Sequence, residues 1–97
     1  PEFPGGAEAL QKYLGGSVKY PPIAQENGIQ GKVYIQFVIN TKGDVTNAIV
    51  LRGVDPSLDK EALRVVQAMP KWKPGQQRNR PVRVSYTVPI NFVLQKQ

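Results

Sequence analysis

The chain has no cysteine and no histidine among its 97 residues. The first absence removes thiolate nucleophiles, zinc–thiolate sites and disulfides together. It leaves the compartment open, because a cysteine-free domain suits reducing and oxidising spaces alike. The second removes the usual general base near neutral pH and the commonest metal ligand. No apolar run approaches the ~20 residues that cross a bilayer as a helix. The chain starts at Pro1 without the basic n-region of a signal peptide. That abrupt start reads as a domain excised from a longer protein, with any membrane anchor upstream. There is no Gly-x-Ser-x-Gly elbow, and no carboxylate pair in apolar surroundings that would shift its pKa. The expectation is a binding domain, not an enzyme, with no cofactor and no metal.

What is present is enough for one folded unit. Hydrophobic residues make up 40% of the chain, so it can build a core. Residues 1–97 are expected to form a single domain, with 1–19 as an N-terminal extension and 20–94 as the core. The net charge of +6 is unevenly spread. Residues 1–59 carry five Lys/Arg against six Asp/Glu, or −1; residues 60–97 carry eight against Glu61 alone, or +7. A basic half attracts nucleic acid, anionic lipid or an acidic protein segment.

The longest pattern lies at the end. Val82, Val84, Tyr86, Val88, Ile90, Phe92 and Leu94 alternate with Arg83, Ser85, Thr87, Pro89, Asn91 and Val93. Period two over this length is a strand with one face on a core. Pro89 cannot donate a ladder hydrogen bond, so the strand belongs at a sheet edge or a bulge. An edge strand offers unpaired backbone to another chain.

Upstream, Ala7, Leu10, Tyr13 and Leu14 predict a short helix over 6–14, ended by Gly15-Gly16. Residues 23–27 suit one helical turn. Val33, Ile35, Phe37 and Ile39 predict a strand over 32–40, and 40–44 a hairpin turn with Gly43 at positive φ. A return strand runs over 45–52. Its register is ambiguous without a bulge, since Val45, Ile49 and Leu51 alternate one way and Ala48 and Val50 the other. Asp55 or Ser57 caps a helix whose stripe is Leu58, Ala62, Val65, Val66 and Met69, stopped by Pro70. Residues 76–80 read as a polar loop. The simplest assembly is a two-layer α+β domain: a three-stranded, antiparallel-type sheet of order 2-1-3, a helix on one face, and a short N-terminal helix.

Other constellations have plainer explanations. Asp55, Ser57, Asp59 and Glu61 lack the glycine of a calcium loop and suit a helix N-terminus. Gly28 and Gly31 lack phosphate-loop spacing. Trp72, between two lysines, reads as core with snorkelling neighbours. Arg78, Arg80 and Arg83 read as a solvated basic loop. No recognition helix or RNA-binding aromatic signature accompanies them, so no nucleic-acid partner is expected, although a basic nucleic-acid module stays open as the lesser alternative.

Several blocks are jointly specific: Glu2-Phe3-Pro4-Gly5-Gly6, Lys19-Tyr20-Pro21, Gly28-Ile29-Gln30-Gly31-Lys32-Val33, Gly43-Asp44-Val45, Met69-Pro70-Lys71-Trp72-Lys73-Pro74-Gly75 and 81–92. In order and spacing the chain resembles the C-terminal domain of TonB-type energy transducers, in the form common in Bacteroidota. The resemblance implies a periplasmic domain anchored to the inner membrane by an upstream segment and driven by an ExbB–ExbD-like motor. It implies binding of the Ton box of outer-membrane receptors by strand addition along Arg83, Val84, Ser85, Tyr86, Thr87, Val88, Pro89, Ile90 and Asn91. It also implies a secondary contact near Ser17, Lys19, Tyr20 and Pro21. Independently of the resemblance, the positive charge of Arg78, Arg80 and Arg83 is expected to steer acidic receptor segments. Proteobacterial members often carry Gln-Pro-x before Tyr-Pro; here Ser17, Val18 and Lys19 stand there, which leaves main-chain pairing as the expected mode of contact. Two further readings stay open at this stage: a domain fused to a sensor or peptidase, and a homodimer paired through the last strands.

Overall fold

A computed structural model of the chain describes residues 2–94. Three helices, α1 (Gly6–Ser17), α2 (Pro22–Glu26) and α3 (Pro56–Gln67), accompany five strands. These are β1 (Gly31–Ile39), β2 (Val45–Arg52), β3 (Gly75–Gln77), β4 (Arg80–Val82) and β5 (Val84–Phe92). The main sheet has the order β2-β1-β5, with both pairings antiparallel. This is the expected 2-1-3 arrangement, with the last strand at an edge.

The pattern of β1 explains the core. Val33, Ile35, Phe37 and Ile39 are completely buried on one face, as strict alternation requires. Val88, Ile90 and Phe92 of β5 join them. The α3 stripe of Leu58, Ala62, Val65 and Val66, with Met69 two residues past the helix end, closes over this face, all of it buried. Asp55 caps α3 by accepting a hydrogen bond from the Ser57 N–H at 3.0 Å.

Trp72 is core, as expected. It centres an aromatic cluster, 5.4 Å from Phe3, 5.3 Å from Tyr86 and 5.8 Å from Phe37 between ring centroids. Phe3 in turn meets Tyr13 of α1 at 5.6 Å. The N-terminus is tied to the same place. Glu2 and Lys73 exchange two backbone hydrogen bonds of 2.9 and 2.7 Å.

Three expectations are corrected and one open register is resolved. First, α1 does not end at Gly15-Gly16 but runs to Ser17. Glycine weakens a helix without forbidding it, and tertiary bonds hold this one: Tyr13 Oη donates to the Val65 carbonyl at 2.8 Å, and Arg64 Nη2 to the Ser17 carbonyl at 2.9 Å. Second, β2 carries two register shifts against β1, with Asn47 left-handed at φ 52°. The bulge around Asn47 lets Val45, Ala48 and Val50 share the core side while Ile49 and Leu51 stay exposed. Third, the loop over 76–80 is a hairpin. β3 and β4 pair, and Arg78 and Asn79 at its tip both have positive φ (53° and 63°), the signature of a type I′ turn. Fourth, the final strand is not continuous from Val82: Val82 ends β4, Arg83 is a break, and β5 begins at Val84.

Gly43 is required twice over. Its φ is 87°, and a Cβ there would stand 2.0 Å from the Trp72 carbonyl oxygen. Gly16 is its opposite, with nothing within 4 Å of an added Cβ. We predict that Gly43→Ala lowers the unfolding free energy by at least ~2 kcal/mol, while Gly16→Ala raises it by ~0.5–1 kcal/mol. Urea denaturation midpoints check both signs.

Candidate functional site

The chemistry available here is that of main chain. Asn40 N–H donates to the Asp44 carbonyl at 3.0 Å, so the backbone of Asn40 faces β2. Backbone groups of successive strand residues point to alternate sides. Ile39, Phe37, Ile35, Val33 and Gly31 therefore face β5. Their partners in register are Val84, Tyr86, Val88, Ile90 and Phe92. It follows that Ser85, Thr87, Pro89 and Asn91 turn their backbone groups away from the sheet. Beyond the strand, Leu94 N–H donates to Gln30 Oε1 at 3.1 Å, with the same parity. Pro89 thus lies where its missing N–H disturbs no pairing inside the domain.

The sheet has two edges, and they differ. The pairing of β5 with β1 is regular over its whole length. β2, at the other edge, is bent by its two register shifts. Bulges blunt an edge against further pairing. The straight, regular edge is that of β5.

α1 borders this edge on the core side. Two crevices lie along the seam. One, of ≈ 180 Å³, is lined by Phe3, Ala7, Leu10, Trp72 and Tyr86 among others. The second, of ≈ 160 Å³, is lined by Leu14, Gly15, Val18, Pro89, Ile90 and Asn91 among others.

The arginines assigned to steering collect at the N-terminal end of β5. Arg83 is the break residue, Arg80 opens β4, and Arg78 sits at the hairpin tip. The ion pairs of the described residues are elsewhere, Arg64–Glu61 and Lys71–Asp44.

The segment from Ser17 to Pro21 is held against α3. Glu61 Oε2 accepts the Lys19 N–H at 2.6 Å, and Arg64 donates to both Glu61 oxygens at 2.7 Å. The Arg64 guanidinium, aided by the Lys19 N–H, holds the Glu61 carboxyl below the usual carboxylate range against the opposing effect of burial. The same contact raises the Arg64 pKa. Tyr20 packs edge-on to Phe92 at 5.7 Å and donates its hydroxyl to the Ile29 carbonyl. Burial raises its pKa. Lys19, Tyr20 and Pro21 border an open groove of ≈ 670 Å³ shared with Leu63 and Arg64 of α3. Sequence reasoning therefore located the edge strand and the basic cluster. It predicted the N-terminal helix but not its place beside the edge, and it read the glycine pair as the end of that helix.

The geometry has known counterparts. Residues 16–94 match the family profile described as Gram-negative bacterial TonB protein C-terminal. Two solution structures of the Helicobacter pylori TonB C-terminal domain are similar. One has 26% identity over 93% of this chain and 95% of that one, with a TM-score of 0.68. The other has 27% identity over 90% and 78%, with a TM-score of 0.67. The Pseudomonas aeruginosa TonB C-terminal domain is similar at 25% identity over 82% and 81%, with a TM-score of 0.65. A search of curated proteins returns no match.

Because the folded pKa of Glu61 is depressed, its stabilisation is present above the ordinary carboxylate pKa near 4.5 and is lost as pH falls through the lower folded value. We predict that Glu61→Gln costs about 1 kcal/mol at pH 7, a modest figure because Arg64 is half exposed. The gap to the parent should shrink on acidification below about pH 4.5. Thermal unfolding at both pH values reads it.

Proposed function

Because this chain belongs to the Gram-negative bacterial TonB C-terminal domain family, we propose that it is the receptor-binding end of a TonB-type energy transducer. Residues 1–97 act as one domain, with 1–19 as an extension on a 20–94 core. The domain works in the periplasm, tethered to the inner membrane by a segment outside this sequence and driven by an ExbB–ExbD-like motor. Its ligand is the Ton box of outer-membrane receptors, and the coupling transmits proton-motive energy for nutrient uptake.

The observation that carries this reading is the regular edge of β5, which among the described residues pairs on one side only. A Ton box laid along 83–91 as a fourth strand would bond to Ser85, Thr87 and Asn91 and to the Pro89 carbonyl. Each such bond contributes ~0.5–1.5 kcal/mol net, before ordering costs. Main-chain pairing alone is thus weak, which suits a coupler that must release. A pull along the strand loads these bonds together in shear. Arg78, Arg80 and Arg83 raise the encounter rate with acidic receptor segments. The open groove at Lys19, Tyr20 and Pro21 supports a secondary contact there, while Ser17 contributes through its carbonyl, which anchors Arg64. The edge also suits a second copy of the chain, and the homodimer competes for the same strand.

Titrating the ¹⁵N-labelled domain with a Ton-box peptide should shift amides along 84–91. Shifts confined to α3 would sink the placement. Backbone parity gives a sharper test. Thr87→Pro should leave the domain folded but weaken the peptide by about three- to tenfold. Val88→Pro, whose N–H faces β1, should unfold it. Association should slow as salt rises from 0.05 to 0.5 M, and the slope should flatten in Arg80→Ala/Arg83→Ala.

A further inference from the structure

Gly15 has no structural reason to be glycine. It lies inside α1, where glycine is ~0.5–1 kcal/mol worse than alanine. Its φ is not positive, and an added Cβ would meet nothing within 4 Å. Yet it opens directly onto the crevice beside Pro89 and Asn91. Ala7, small and likewise exposed, opens onto the other crevice beside Tyr86.

The two crevices share a spacing with a strand. A strand added to β5 would turn alternate side chains towards α1, namely those opposite Tyr86, Val88 and Ile90. Tyr86 and Ile90 are four residues apart, roughly 13–14 Å along a strand. Ala7 and Gly15 are eight apart, about 12 Å along a helix. The helix and the edge therefore present their openings in step, with Leu10 and Leu14 buried beneath. Each opening, ≈ 180 and ≈ 160 Å³, has the size of an engineered cavity that takes benzene, about 150 Å³. One leucine- or isoleucine-sized side chain fills it.

We propose that α1 reads the side chains of the strand docked on β5. The occupant is an extended segment of a partner protein with two apolar side chains four residues apart. An acidic residue flanks the apolar side chain nearer Arg83, matched to the arginines at that end. This rests on strand addition at β5. Backbone bonds supply sequence-independent adhesion, the two crevices select the register, and Pro89 marks the position where the visiting carbonyl finds no donor.

The test uses acetyl-Asp-Thr-Leu-Thr-Val-Thr-Leu-Thr-Asp-amide, acidic at both ends so that strand direction is immaterial. Controls replace either leucine by alanine or set the leucines three apart, which turns one to the open face. NMR titration gives affinity and location together. Each control should bind about tenfold more weakly than the parent. Gly15→Leu, which fills one crevice, should weaken the parent peptide about tenfold. It should leave unchanged the affinity of the alanine peptide that lacks the leucine seated there. Gly15→Ala should bind as the parent domain does. Equal affinity for all peptides with shifts along 84–91 would overturn the side-chain reading and leave strand addition standing. No shift of those amides with any peptide would overturn both.

Discussion

The hydrogen bond from Asn40 N–H to the Asp44 carbonyl sets the direction of the main-chain groups in the sheet. It closes the β1–β2 turn, and Asn40 Oδ1 reinforces that turn by accepting the Lys42 and Asp44 N–H groups at 2.9 Å each. Once Asn40 faces β2, alternation turns the odd residues of β1 to β5 and the odd residues of β5 outward. A one-residue slip of β5 would bury its polar side chains and aim the proline nitrogen into the ladder. The burial of Val88, Ile90 and Phe92 excludes that slip. Core packing and edge chemistry are thus one constraint, because side-chain face and backbone direction alternate together.

A second set of contacts holds the N-terminal helix beside the edge. α1 carries adjacent glycines and has no side-chain cap, so its own propensity is poor. Leu10 and Leu14 reach the common core, Tyr13 bonds to α3, and Phe3 joins the Trp72 cluster. At the other end Glu61 and Arg64 bind the Lys19 N–H and the Ser17 carbonyl. The helix is therefore positioned by its ends and its buried side, which frees the side facing β5 to carry small residues.

Much of this was legible in the sequence, and the exceptions have physical causes. The β1 alternation, the α3 stripe and the 2-1-3 order rest on burial, which leaves a periodic trace. The hairpin over 75–82 left none. Its type I′ turn is made by Arg78-Asn79 where Asn-Gly is usual, and its flanks are exposed. The bulges of β2 follow from having to bury Val45, Ala48 and Val50 together, a demand set by the sheet and the helix above it. The end of α1 was misplaced because Gly15-Gly16 reads as a stop, while the bonds that overrule it come from residues about fifty positions away. For the site, Pro89 betrayed the edge. The seam with α1 depends on where the chain returns in space, which no local pattern records.

Pro89 also bears on the balance between self-pairing and capture of a foreign strand at this edge. Two β5 strands meeting antiparallel would each bring a proline, so the joint ladder would lose a donor on both sides. A visiting peptide meets only one such gap. The loss therefore weighs more heavily on self-pairing than on capture of a foreign strand. On the opposite edge the same protection is reached by different means, since the bulged β2 exposes Ile49 and Leu51 yet presents no straight run of backbone. One edge is closed by shape; the other is left straight and thinned by a single missing hydrogen. Under the proposed strand addition, such an edge gains selectivity only from side-chain recognition, and the two crevices of the seam between α1 and β5 are the place proposed for it.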